Sequence, residues 1–152
     1  MSANIGELEA QRILQKRQND AERIARQNRE DRILRDEPPL FFEAMGKCVE
    51  ENIKSFNLAM GLSGDEALTF VYSSGLIEIG KRQKPFLLKK VILLQSSGEV
   101  TVRTRTISRT YQHGGSDETW RFDVEYGELT LNRKNLIECA DALFAGVADA
   151  FR

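Results

Sequence analysis

The sequence has little of what builds disulfide scaffolds, metal centres or membrane spans. Its 152 residues include two cysteines and one histidine, too few for a disulfide framework or a clustered zinc site. No run approaches the ~20 apolar residues that a transmembrane helix needs, and the opening MSANIGELEAQRIL lacks the apolar segment of a secretory signal. We therefore expect a cytoplasmic protein with no metal, no cofactor and no membrane partner.

The charge is also small overall. The formal net charge is −1 and the pI is about 5.9, so no global positive field would attract nucleic acid. Hydrophobic residues at 41% and charged residues at 30% are values typical of globular proteins. Cys48 and Cys139 each fall on the apolar face of a predicted helix, which favours core packing, although a disulfide between them stays open.

Residues 1–37 predict one long charged helix. From Asn4 to Arg35 there is no proline and one glycine, and Pro38-Pro39 then ends the helix. A helix of about 30 residues is on the order of 45–50 Å long, whereas the remaining residues would form a globule only about 35 Å across. The sequence thus predicts a helical arm at 1–37 and a globular α+β domain at 38–152.

The globular part predicts an antiparallel sheet of about five strands, with two helices packed on one face. One helix follows Pro38-Pro39, alternating segments occupy the middle, and a last helix starts at about Asn132. The short connections between the strands favour antiparallel pairing. We expect helix residues to be buried together against the sheet: Phe42, Met45, Val49, Phe56, Leu143, Phe144 and Val147, against Phe70, Val102 and Phe122.

The arm carries a repeat and a separate apolar stripe. Arg17-Gln18-Asn19 returns as Arg26-Gln27-Asn28, but a nine-residue period places the two copies on opposite helix faces, so the repeat forms no continuous surface. A different set of residues shares one face and is interpreted as a partner-binding surface, here called the arm stripe: Ile13, Leu14, Arg17, Ala21 and Ile24.

The arm stripe predicts a homodimer or another protein partner. A basic helix for nucleic acid is disfavoured because residues 1–37 hold eight basic and eight acidic side chains. An in-plane membrane helix would need tryptophan and a broader apolar face. Opposite charges four residues apart predict ion pairs: Lys16–Asp20, Glu22–Arg26, Arg26–Glu30, Asp31–Arg35 and Arg32–Asp36 on the arm, and Glu43–Lys47 and Glu50–Lys54 on the next helix.

The strand VTVRTRTISRT carries a second candidate surface. Alternation places Arg103, Arg105 and Arg109 on one face, joined by Arg121 from the following strand. A turn at His113-Gly114-Gly115 would pair Arg105 with Glu125. The favoured interpretation is a solvated face with cross-strand ion pairs. The alternative is a surface that binds an anionic ligand or nucleic acid through these four arginines.

Catalysis has no convincing set of residues. His113 lies near Ser116 and Asp117, but a glycine-rich hairpin tip offers no pocket in which their pKa values would be tuned. We therefore expect no enzyme. The predicted function is a non-catalytic protein–protein interaction or oligomerisation module that uses the arm, and the alternative is an anion- or nucleic-acid-binding module that uses the arginine-bearing sheet face.

Overall fold

A computed structural model describes residues 4–84, 87–108, 112–113 and 115–150. Its helices are α1 (Ile5–Asp36), α2 (Pro38–Met60) and α3 (Leu136–Ala150), with a 3-10 turn at Gly64–Glu66. The strands in this part of the chain are β1 (Thr69–Ser73), β2 (Leu76–Lys84), β3 (Leu87–Ser96), β4 (Glu99–Ser108), β5 (Gln112–His113), β6 (Asp117–Glu125) and β7 (Glu128–Leu131). The α+β class and the long N-terminal helix are confirmed, and the strand count exceeds the predicted five.

The strands form an antiparallel sheet in the order β1-β2-β3-β4-β6-β7, and the two-residue β5 pairs with β4. Sequence reasoning missed β7. The two residues between β6 and β7, Tyr126 and Gly127, have φ angles of 53° and 77°, as in a tight hairpin turn with left-handed residues. Tyrosine is unusual at such a position, where asparagine, aspartate or glycine would have predicted the turn.

The core lies between the sheet and the two helices α2 and α3, as predicted. Phe42, Met45 and Val49 of α2 are fully buried with Leu143 and Val147 of α3. Phe122 is buried too, while the remaining predicted residues are partly buried and pack against the same core: Phe56, Phe70, Val102 and Phe144. The alternating apolar positions of the strands therefore face the apolar sides of both helices.

Both cysteines are free, so the disulfide that the sequence left open is not formed. Cys139 is 1% exposed and its Sγ lies 3.6 Å from the carbonyl oxygen of Leu131. Burial raises the pKa of the Cys139 thiol to about 11, because a thiolate would lose its hydration there.

The last helix starts later than the sequence suggested. Asn132 and Arg133 adopt positive φ, and α3 begins at Leu136. Asn135 accepts a hydrogen bond from the amide of Glu138 (2.9 Å), and the carboxylate of Glu138 accepts one from the amide of Asn135 (3.4 Å). This reciprocal arrangement satisfies two free amides at the helix start, so Asn135 rather than Asn132 caps the helix.

A single residue, Glu37, separates α1 from α2. Pro38 and Pro39 have no amide hydrogen to donate, which ends α1 at Asp36, where proline was expected to end it. The chain bends here without a loop, since Glu37 donates to the carbonyl of Ile33 and accepts from the amide of Phe41. Ile33 and Leu34 are partly buried against the core, so the last turns of α1 pack on the body of the protein.

Candidate functional site

The arm stripe is open to solvent along its whole length. Ile13, Leu14 and Ile24 are 51%, 61% and 55% exposed, and Arg17 and Ala21 between them are exposed as well. No residue of α1 is buried. Asn4 caps the helix start by accepting hydrogen bonds from the amides of Gly6 and Glu7, so the arm begins as a regular helix well before it reaches the body.

The arm stripe points away from the protein's own body. A helix turns about 100° per residue, so the mean direction of the stripe lies about 160° from that of Ile33 and Leu34, the α1 residues that pack against the core. The same helix thus contacts its own domain on one side and exposes an apolar stripe on the other. The body cannot cover the stripe without α1 rotating about its axis.

The ion pairs on the arm differ from those predicted. Glu9 pairs with Arg12 (3.0 Å) and Asp20 with Arg23 (3.8 Å), three residues apart, and Arg35 pairs with its neighbour Asp36 (3.0 Å). The predicted four-residue pairs on α1 are not formed within Ile5–Asp36, and Asp20 and Arg35 pair with nearer residues instead. Those predicted on α2 are confirmed, at 3.7 Å for Glu43–Lys47 and 2.9 Å for Glu50–Lys54.

The arginine-bearing sheet face exists, but its register differs from the one considered from the sequence. Arg103 lies opposite Asp117, and Arg121 lies opposite Glu99, so Arg105 does not pair with Glu125. The reason is that β4 already pairs with β5, with Thr106 opposite His113. Extended to Arg105, the register of β4 with β6 points to position 115, ten residues before Glu125.

One carboxylate engages two of the arginines on this face. The guanidinium of Arg105 lies 2.6 Å from Oδ1 of Asp117, and Nε of Arg103 lies 3.8 Å from Oδ2 of the same side chain. Arg105 also donates to the carbonyl oxygens of Thr104 (2.9 Å) and Ser116 (3.4 Å). Its donors are thus largely used inside the fold, as in the interpretation of a face with cross-strand ion pairs.

The other two arginines stand apart from this cluster. Arg121 is exposed and faces Glu99 across the strands. Arg109 lies outside the described residues, so the set of four cannot be placed as a whole. Of the residues considered for catalysis, Asp117 is occupied by arginine and Ser116 contributes only its carbonyl. The described part of His113 is its backbone, which pairs with Thr106.

A cleft that sequence reasoning missed lies between α1 and the turn that joins β6 to β7. Its volume is about 590 Å³, and its lining residues are Arg26, Arg29, Glu30, Arg32, Ile33, Tyr126 and Gly127. The sequence carried one signal for it, an arginine at every third position from Arg23 to Arg35. The turn at Tyr126 lines the cleft together with these arginines. It is distant from them in sequence, so it could be found only from the fold.

Within the described ranges, no helix is long and apolar enough to cross a membrane. The same residues hold no group of three or more His, Cys, Asp or Glu side chains that could bind a metal ion. The fold and its surfaces define an α+β protein with a projecting helical arm. The chain matches no protein-family model, no curated protein and no solved structure.

Proposed function

We propose that the chain is a non-catalytic interaction module whose arm stripe binds a second copy of the same stripe. The observation that supports this most is the exposed apolar stripe on the side of α1 opposite to the helix's contact with its own body. An apolar surface that the described residues of its own chain leave uncovered is available to another chain.

The affinity of such a pair should be modest. Ile13, Leu14 and Ile24 are already about half covered, so burying the remainder gives roughly 1 kcal/mol each, from about 1.5–3 kcal/mol for a complete side chain. Two copies bury six such side chains, which gives roughly 6 kcal/mol in total. This gain is close to the lower end of the 4–15 kcal/mol that association costs. Arg17 in the middle of the stripe lowers the gain further, so we expect weak association, on the order of millimolar at the tightest, rather than a permanent coiled coil.

The test is a double substitution in the stripe, Ile13→Asp with Ile24→Asp. A charge at both positions should move the mass measured by light scattering toward the monomer at a loading of about 0.1–1 mM, with an unchanged circular dichroism spectrum. Gln11→Asp with Asn19→Asp is the matched control, because it adds the same charges on the exposed opposite side of α1. A wild-type chain that is monomeric throughout this range, or a control that dissociates equally, contradicts the proposal.

A truncation offers an independent test, and the packing of α1 decides where it should end. Removing residues 1–35 would take Ile33 and Leu34 away from the core, so loss of binding could then reflect unfolding. Removing residues 1–22 deletes most of the stripe and spares these contacts. We expect the shortened chain to stay folded and to lose self-association.

The alternative module on the arginine-bearing sheet face has less support, because Asp117 already engages Arg103 and Arg105. A cytoplasmic location stays a prediction from the sequence.

A further inference from the structure

The cleft beside α1 concentrates positive charge that the fold does not neutralise. Three of its lining side chains are arginines, and Glu30 is the one acidic residue among them. The ion pairs found within α1 involve Arg12, Arg23 and Arg35, and none is formed by Arg26, Arg29 or Arg32 to the residues that the structure describes. Hydrogen bonding to Arg35 lowers the pKa of Asp36, and Arg32 adds only a smaller electrostatic effect.

Tyr126 lines the cleft from the turn between β6 and β7, and both its exposure and its backbone conformation are unusual. Its ring is fully exposed, so it stabilises nothing inside the body by burial. Its backbone has a φ of 53°, a left-handed conformation that costs a non-glycine residue about 1–2 kcal/mol. An exposed aromatic residue on a left-handed turn, lining the same cleft as three arginines, is available to contact a ligand rather than the body of the protein.

These features define the chemistry of a ligand. Guanidinium groups bind phosphate oxygens through paired hydrogen bonds, and an exposed tyrosine offers a flat face on which a base can stack. Ile33 adds an apolar side chain to the lining, and a volume of about 590 Å³ lies within the usual range for small-molecule sites. A ligand with both a phosphate group and an aromatic ring fits all of these.

We propose that the cleft lined by Arg26, Arg29, Arg32 and Tyr126 binds a nucleotide unit, with its phosphate on the arginines and its base on the tyrosine ring. The unit is either a free nucleotide or part of a single strand. This site differs from the sheet face that the sequence suggested for anions. On this proposal the charge of residues 1–37 as a whole matters less than its distribution, because the part of α1 that lines the cleft carries three arginines and one glutamate.

The test uses the full chain and three probes: ATP, inorganic tripolyphosphate and a labelled thymidine 15-mer. Calorimetry should give a dissociation constant of roughly 100 µM for ATP, typical of a small exposed site. Arg26→Ala with Arg32→Ala should weaken all three probes at least tenfold. For the oligonucleotide, losing two phosphate contacts should also reduce the slope of log K against log salt by about 1.4.

Tyr126→Asn distinguishes the contribution of the base to binding from that of the phosphate. Asparagine tolerates the left-handed turn, so the variant should keep the backbone of the hairpin. It should weaken ATP several-fold and leave tripolyphosphate unchanged. Arg103→Ala with Arg121→Ala removes the same charge from the sheet face and should change nothing. Tighter binding of the oligonucleotide than of ATP assigns a single strand, and equal binding assigns the free nucleotide.

Two results would overturn the proposal. One is the absence of binding by ATP and by the oligonucleotide at about 1 mM, beyond which an affinity is too weak to be specific. The other is binding that survives in the cleft variant and falls in the sheet-face variant. Self-association can be removed from this test by using the Ile13→Asp, Ile24→Asp variant, because neither residue lines the cleft. The two proposals can therefore fail independently.

Discussion

Asn57 near the end of α2 replaces a missing strand partner for the backbone of Leu68. Its side-chain amide donates to the carbonyl oxygen of Leu68 (3.0 Å), and its side-chain oxygen accepts from the amide of Leu68 (2.9 Å). Leu68 is 4% exposed, so its backbone has little access to water. The pair of bonds fixes the approach to β1 against the helix that precedes it.

The substitution Asn57→Ala should therefore destabilise the fold by more than an ordinary surface change. Each hydrogen bond contributes about 0.5–1.5 kcal/mol net, and each buried group left unpaired costs about 1–3 kcal/mol. Asn57 is only partly buried, so water can replace part of the lost contact. We expect the free energy of unfolding to fall by about 2–3 kcal/mol, at the lower part of the summed range.

Urea denaturation followed by circular dichroism would measure this as a lower midpoint at an unchanged slope. Asn57→Asp tests the two hydrogen bonds separately. It keeps the acceptor for the amide of Leu68 but places a second oxygen against the carbonyl oxygen of Leu68. It should destabilise at neutral pH and recover partly at low pH, where a protonated carboxyl can donate. Asn52→Ala is the control, since Asn52 forms no side-chain hydrogen bond to the described residues. A loss below about 0.5 kcal/mol for Asn57→Ala, the level of ordinary surface substitutions, would refute the argument.

Two further predictions concern the core. Because burial raises the pKa of Cys139 from 9.0 to about 11, the folded state holds the proton more tightly than the unfolded state. The stabilisation is complete below about pH 9 and is lost as pH rises toward 11, by about 1.4 kcal/mol per pH unit. Urea titrations between pH 8 and 11 should thus converge for wild type and Cys139→Ala as pH rises, and parallel curves would contradict this. At Gly46, an added Cβ would lie 3.1 Å from Cδ1 of Ile77, so the helix-propensity gain of about 1 kcal/mol from Gly46→Ala should be nearly cancelled. Gly46→Leu should lower the thermal midpoint clearly through overpacking, and equal midpoints for both variants would show that the contact is loose.

The sequence predicted those parts of the molecule that depend on local periodicity. Phe42, Met45 and Val49 recur at helical spacing, which predicted their burial, and the same spacing defined the exposed stripe around Ile13 and Ile24. Pro38-Pro39 correctly marked the end of the first helix. These features need no knowledge of distant residues, because the period of a helix alone decides which side chains share a face.

The parts that failed depend on which segments meet. The register that places Arg103 opposite Asp117 depends on where the chain reverses after β4, and a glycine pair further on suggested the wrong point. The turn before β7 was missed because tyrosine is rare in it. The arginine cleft was missed for the same reason as the turn, since it exists only where α1 packs beside Tyr126 and Gly127.

The link of one residue between α1 and α2 sets how two bodies would be spaced. With Ile33 and Leu34 packed on the core and no flexible tether, the direction of the arm is fixed relative to the sheet. Two chains joined through their arms would present two clefts at one separation and one orientation. A polymer whose repeating units match that separation would meet the second cleft at a high effective concentration, while a mismatched one would gain nothing from it. Selectivity for spacing would then come from the backbone of the arm rather than from any contact with the ligand.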